Sequence, residues 1–166
     1  MKIWFFALAL TATAVAQTYS QPVREVEKGA RSAVRGTCVL NIYPNSASGQ
    51  SQCAMWLVTG EAAQAVPAGK HLVVEDLSTY CFTNTGEAYS YLAMSVVPPA
   101  NGQAWSRYIP LQNQATINGK VYRSSSVTSR FYAGPGSTLW IGAYTVNAVS
   151  SQSQCTVRFA GHLESE

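Results

Sequence analysis

Few residues in this chain have side chains that could do covalent chemistry. Its two histidines are His71 and His162, and a histidine base needs a nucleophile and an orienting group beside it. The sequence has no G-x-S-x-G elbow to present a serine. His71 opens a strand-like run and His162 lies close to the C-terminus. We therefore expect both to be surface residues and catalysis to depend on neither.

The carboxylates offer little more. Glycoside hydrolysis needs two acids that flank a cleft, and the candidates are Glu61, Glu75, Asp76 and Glu87. Adjacent residues of a strand point to opposite faces, so Glu75 and Asp76 could act together only across a bulge. We expect one to face solvent and the other to accept backbone or arginine hydrogen bonds. The turn-like contexts of Glu61 and Glu87 predict solvated side chains.

The sequence predicts no metal and no cofactor. Glu75 and Asp76 with a loop carbonyl could hold calcium, but no D-x-D-x-D run accompanies them. The Gly134-x-Gly136 segment is a poor phosphate cradle, because Pro135 lacks an N–H and a strand-like run follows.

Aromatic residues are the remaining signal. Seven stand out, and most are expected to pack in the core or across strands: Trp56, Trp105, Tyr108, Tyr122, Tyr132, Trp140 and Tyr144. The exception is the group Trp105, Arg107 and Tyr108. It follows the loop 98–102 and precedes Pro110, which favours an exposed edge strand.

Trp105, Arg107 and Tyr108 are therefore the candidate ligand-binding residues. Flat aromatic rings beside an arginine suit stacking on sugar rings or capture of an acidic group. Strand alternation places Trp105 and Arg107 on one face, expected to meet solvent, and packs Tyr108 inward with Leu111. In the alternative, Trp105 only caps the open end of the fold.

Four cysteines indicate two disulfides in an exported chain. Cys38, Cys53, Cys81 and Cys155 lack the close pairs of a zinc site and contain no C-x-x-C motif. The first and last strands of an antiparallel sandwich are often neighbours, which favours Cys38–Cys155 with Cys53–Cys81. A Cys38–Cys53 bridge within a hairpin is the alternative.

The N-terminus has the pattern of a secretory signal. Residues 1–16 combine Lys2, an apolar run and an A-x-A cleavage site. Residues 17–36 form a polar, charged arm, and 37–166 the folded domain. No later hydrophobic run reaches membrane-spanning length, so we expect a secreted or periplasmic protein with no membrane span after signal removal. A net charge of +3 is too small to predict a nucleic-acid partner.

Short strand-like runs separated by turn signals fill the rest of the chain. The longest follows the Pro67–Gly69 turn and ends at Cys81, with apolar residues on both faces, which predicts a central strand or a bulge. Asn118-Gly119 is the strongest hairpin signal. Eight or nine strands without a convincing helix predict an all-β, antiparallel β-sandwich, for which a jelly roll is one arrangement.

Four segments carry a resemblance: VREVEKGARSAV, AVPAGKHLVVEDLST, RFYAGPGSTLWIGAY and VRFAGHL. They resemble small exported bacterial β-sandwich proteins that are uncharacterised and share a V-P-A-G-K turn and a Y-A-x-P-G turn. The resemblance implies export and a β-sandwich, and it implies no activity.

The chain is therefore interpreted as a non-catalytic binding or accessory module for a glycan or an envelope protein. A structural or interaction protein of the cell envelope, using the charged arm, is the alternative. A hydrolase with an unrecognised site is the third and least favoured hypothesis.

Overall fold

The computed structural model describes residues 32–99 and 102–165, and within them the chain is built from strands. Strong β-formers and alternating apolar residues account for the long strands. The eleven strands are β1 (Ala33–Ile42), β2 (Ser48–Gln52), β3 (Ala54–Leu57), β4 (Ala62–Ala63), β5 (Lys70–Asn84), β6 (Tyr89–Val97), β7 (Trp105–Ile109), β8 (Gln112–Ile117), β9 (Lys120–Ala133), β10 (Thr138–Thr145) and β11 (Ser153–Ser165).

The strands form two antiparallel sheets, which confirms the predicted β-sandwich. The large sheet has the order β4-β3-β1-β11-β5-β9-β8, and the small sheet has the order β2-β10-β6-β7. There are eleven strands rather than eight or nine because two short, weakly apolar segments also pair. One is β2, whose sequence SGQSQ has no strand signal, and the other is the two-residue β4.

The first strand begins at Ala33, inside the segment 17–36 that the sequence assigns to a charged arm. Val34 is buried and pairs with β3 and β11, so burial of its side chain extends the strand N-terminally. The proposed signal peptide at 1–16 and arm residues 17–31 lie outside the described residues.

Strand β5 is central in the large sheet, between β11 and β9, and it contains a bulge. The register with both neighbours shifts between Val74 and Asp76, which leaves Glu75 without a paired residue on either side. Before the bulge Leu72 and Val74 face the core, and after it Leu77 does so. A central position and a bulge that changes the face were alternatives for this strand, and the structure shows both.

One hydrophobic core lies between the sheets. β1 and β5 supply the large sheet's side, and β6 and β10 supply the small sheet's side; all four contribute fully buried residues such as Leu40, Leu72, Leu92 and Ile141. Burial of this apolar surface is the main favourable term in folding.

Both disulfides are buried, but the favoured pairing is wrong. The bridges join Cys38 to Cys53 and Cys81 to Cys155. The first and last strands are neighbours as expected, yet their register sets Cys38 opposite Val157 and leaves Cys155 opposite Cys81. Adjacent strands are not enough for a bridge, because the two Cβ atoms must also face each other.

The turns follow their glycine signals. Asn118 and Gly119 both have positive φ, as a tight two-residue hairpin between β8 and β9 requires. The two Pro-Gly turns of the chain meet, since Val66 N donates to the Ser137 carbonyl and Gly136 N donates to the Val66 carbonyl. In residues 32–99 and 102–165 no helix has the length and apolar character needed to cross a bilayer.

Candidate functional site

The predicted edge position of Trp105, Arg107 and Tyr108 is confirmed. These residues lie on β7, which is the last strand of the small sheet and pairs only with β6 among the described strands. Trp105 is opposite Val96 and Arg107 is opposite Met94, so both share the face that turns towards the large sheet. Tyr108 lies on the other face.

Trp105 covers one end of the sandwich. Its ring meets that of the buried Phe131 edge to face, with the ring centroids 5.5 Å apart, while 40% of the residue stays exposed. This contact joins the small sheet to β9 of the large sheet. The position of Trp105 therefore fits the alternative, in which it caps the open end, better than the prediction that its ring faces only solvent.

Tyr108 does not pack inward with Leu111, so that expectation is wrong. Tyr108 is 70% exposed, and Ile109 takes the buried position beside it. Successive strand residues alternate between faces, so burial of Ile109 places Tyr108 on the outside. There its ring meets Tyr91 edge to face at 5.5 Å, and Tyr91 in turn stacks on Tyr144 at 4.4 Å.

These tyrosines belong to a larger surface, the outer face of the small sheet, which we call the aromatic face. Directly opposed residues share a face, which gives three rows across the sheet. The rows are Gln52–Trp140–Ser95–Ser106, Gln50–Gly142–Ala93–Tyr108 and Ser48–Tyr144–Tyr91. No position of these rows carries a charge.

The centre of the aromatic face carries small side chains, and aromatic residues lie at its two ends. Gly142, Ala93 and Ser95 have small side chains, with Trp140 at one end and the tyrosines at the other. Trp140 and Tyr144 are four strand residues apart, which is about 13 Å along β10. A cleft of about 480 Å³ opens beside Trp140, lined by Gln50, Ser95 and Gly142 among others.

Polar groups on this face are held in place by neighbours. Trp140 Nε1 donates a hydrogen bond to Thr138 Oγ1 at 3.0 Å, and the hydroxyls of Ser95 and Ser106 are 2.7 Å apart. Partial burial, together with the neighbouring Tyr144 hydroxyl, raises the pKa of Tyr91. Like any tyrosine hydroxyl, that of Tyr91 is protonated at neutral pH, and its oxygen can accept a hydrogen bond from a ligand.

The outer face of the large sheet is different, because it carries charge. Glu75 at the β5 bulge lies 3.6 Å from Arg130 and 3.4 Å from His162 Nδ1. His162 Nε2 lies 3.2 Å from Glu164. His162 thus faces two carboxylates rather than a hydroxyl nucleophile, and Glu75 meets an arginine as expected.

Asp76 and Glu87 are also engaged in structural contacts. Asp76 is exposed and accepts a hydrogen bond from Thr128 Oγ1 at 3.3 Å. Glu87 accepts bonds from the backbone and hydroxyl of Ser150 and from Asn84 N. Burial alone would raise the pKa of Glu87, but these hydrogen bonds outweigh it and hold the pKa below its usual value. A carboxyl group that is easily ionised is a poor general acid.

The described part of the chain contains no group of three or more His, Cys, Asp or Glu residues that could hold a metal ion.

Sequence reasoning missed the aromatic face because it assigned Trp140 and Tyr144 to packing. The available signal was the alternation in TLWIGAYT, which sets Trp140, Gly142 and Tyr144 on one side and the apolar residues on the other. Tyr91 could not be distinguished from a core residue, because the surrounding run AYSYLAMSVV is aromatic and apolar on both faces.

No family model and no curated protein matches this chain. Among solved structures, it is similar to the virus-like particle of the extra small virus of the giant freshwater prawn Macrobrachium rosenbergii, determined by cryo-electron microscopy. The identity is 10% and the TM-score 0.28, over 97% of this chain and 89% of that one. A likeness of this degree carries no argument about function.

Proposed function

We propose that the protein is an exported, non-catalytic binding module that recognises a glycan through the aromatic face. The observation that carries the proposal is the composition of this face, with Trp140 at one end, Tyr91 and Tyr108 at the other, and small residues between them. A polysaccharide chain could lie across the small residues of the centre and contact both ends.

The chemistry of the face suits sugars. The C–H faces of a sugar ring pack on aromatic rings, while its hydroxyls need donors and acceptors of fixed direction. Gln50, Gln52 and Ser106 supply amide and hydroxyl groups beside the rings. An uncharged face also suits the C–H groups and hydroxyls of sugar rings, because no ion of the face must lose its water when they bind.

A protein partner is the second candidate ligand for the aromatic face. Protein interfaces are enriched in arginine as well as in aromatic residues, and the aromatic face has no arginine. Arg107 lies on the opposite side of β7, so the three residues selected from the sequence do not form one ligand surface. Tyr108 belongs to the proposed site, and Trp105 with Arg107 remains a separate candidate at the rim.

Export is part of the proposal. Two buried disulfides suit an oxidising compartment, either the periplasm or the exterior. The hydrolase hypothesis receives less support, because His162 faces two carboxylates rather than a hydroxyl, and hydrogen bonds lower the pKa of Glu87.

Affinity electrophoresis through gels loaded with individual polysaccharides tests the proposal. Trp140→Ala and Tyr91→Ala should each weaken retention about tenfold, because an aromatic contact worth roughly 1.4 kcal/mol changes Kd by that factor. Tyr43→Ala is the matched control, since Tyr43 is 63% exposed and lies outside the aromatic face. Equal retention of all variants, or retention of none including the wild type, would refute the proposal.

A further inference from the structure

Arg123 is a cation on the inner side of the sandwich. It lies on β9 opposite Cys81, whose side chain is fully buried, and only 8% of Arg123 is exposed. Arginine is seldom buried to this extent unless a charged partner accompanies it. The burial of Arg123 therefore requires an explanation from its neighbours.

The described hydrogen-bond partners of Arg123 are neutral groups, although the Glu87 carboxylate lies nearby. Nη1 donates to Thr83 Oγ1 at 2.7 Å, Nη2 donates to the Glu87 backbone carbonyl at 3.2 Å, and the guanidinium carbon lies 5.8 Å from the Tyr89 ring centroid. Among the described residues no carboxylate forms an ion pair with Arg123. The Glu87 carboxylate accepts hydrogen bonds from Ser150 and Asn84 instead.

Arg123 also forms part of the wall of two clefts. One, of about 510 Å³, is lined by Glu87 and by uncharged polar residues that include Asn113 and Gln114, so its wall already carries a carboxylate. The other, of about 380 Å³, is lined by Tyr91 and Tyr108 among others. A guanidinium has five N–H donors, and the two described hydrogen bonds use two of them. The other N–H groups of Arg123 therefore remain available to a ligand at the boundary between the two clefts.

We propose that Arg123 binds the carboxylate of an acidic saccharide. This inference rests on the proposed function, because Tyr91 and Tyr108 belong both to the aromatic face and to the cleft beside Arg123. The carboxylate pairs with the planar guanidinium, whose geometry matches it. The sugar ring that bears it lies against the tyrosines. A ligand with one negative charge per site balances the charge of Arg123, which is the only buried cation among the described residues.

Isothermal titration calorimetry with a glucuronic-acid-containing tetrasaccharide and its carboxyl-reduced neutral counterpart tests the inference. The two probes differ only in the charged group. The wild type should bind the acidic probe at least tenfold more tightly. Arg123→Gln should lose this preference and still bind the neutral probe. The control Arg158→Gln removes an exposed arginine of the large sheet and should keep the preference.

Two outcomes overturn the inference. One is equal affinity of the wild type for both probes, and the other is a folded Arg123→Gln variant that still prefers the acidic probe. If Arg123→Gln does not fold, the wild-type Arg123 Nε–Hε NMR resonance is followed during titration with the acidic probe. A saturable shift supports the contact, and an unchanged resonance overturns it.

Failure of this inference is distinguishable from failure of the proposed function. Binding of both probes that depends on Tyr91 but shows no acid preference overturns only the carboxylate site. Binding of glutarate that depends on Arg123, without binding of either saccharide, overturns the glycan proposal and the saccharide part of this inference.

Discussion

The two disulfides should contribute unequally to stability, in the order set by the loops they close. Cys38–Cys53 closes a loop with a sequence separation of 15, and Cys81–Cys155 closes one of 74. By the loop-closure relation these bridges stabilise the fold by about 3 and about 4.4 kcal/mol. The longer bridge should therefore be worth roughly 1.4 kcal/mol more.

The comparison uses two double variants, Cys38→Ala with Cys53→Ala and Cys81→Ala with Cys155→Ala. All four side chains are almost fully buried, at 0–1% exposure, so the cavities left by truncation largely cancel in the comparison. Unfolding in urea gives the free energy of each variant against the wild type under the same conditions.

The expected result is a greater loss of stability for the Cys81/Cys155 variant, by about 1–2 kcal/mol. An equal loss, or a larger loss for the Cys38/Cys53 variant, would refute the loop argument. Peptide mapping without reduction checks the pairing directly, and a Cys38–Cys155 peptide would contradict the structure.

Three further changes test the packing and the charges. Gly161→Ala should lower the free energy of unfolding by about 2–3 kcal/mol, because the new Cβ would overlap the Val73 carbonyl of the neighbouring strand backbone; thermal melting measures it. Trp105→Ala should lower that free energy by about 1–2 kcal/mol by removing the ring packed on Phe131. Glu87→Gln should lower Tm at pH 7, and the difference from the wild type should close as pH falls below 4.5.

The sign for Glu87 follows from its lowered pKa in the fold. The ionised carboxylate stabilises the native state above the unfolded pKa, and that stabilisation is lost as pH falls through the folded pKa. A Tm difference between Glu87→Gln and the wild type that grows in acid would contradict this sign.

Gly142→Ala is the control for Gly161→Ala, since its Cβ would meet only Gln50 at 3.8 Å. Trp56→Ala is the control for Trp105→Ala, since Trp56 is 43% exposed; equal losses would contradict the role of the contact with Phe131.

The architecture was largely predictable because its signals are local. Alternation marks β11 from Cys155 to Phe159, the Asn118-Gly119 pair marks a hairpin, and apolar residues on both sides of β5 mark a central strand with a bulge. Each depends on neighbours in sequence, so a single chain contains the information.

The features that the sequence missed or predicted wrongly depend on which residues pair across neighbouring strands. β2 reads SGQSQ, which has no strand signal, and forms because β10 offers a partner edge. Tyr108 faces out because Ile109 is preferred inside, a choice of one residue that flips the face. The disulfide pairing also depends on cross-strand register.

The candidate site was predictable only in part. The sequence selected Tyr108 and the idea of aromatic rings beside an arginine, and Arg123 of the proposed carboxylate site was not among its candidates. Arg123 sits in the polar run YRSSS, which predicts a surface position. Only the pairing of β9 with β5 places it inside the sandwich, opposite Cys81.

The most direct test of the glycan proposal is a ¹⁵N NMR titration of the full protein with soluble neutral and acidic oligosaccharides. The account predicts saturable shifts that cluster on β6, β7 and β10 around Tyr91, Tyr108 and Trp140, with small changes around Tyr80 on the outer face of the large sheet. Shifts centred on Tyr80, or no saturable shift with any saccharide, would contradict it.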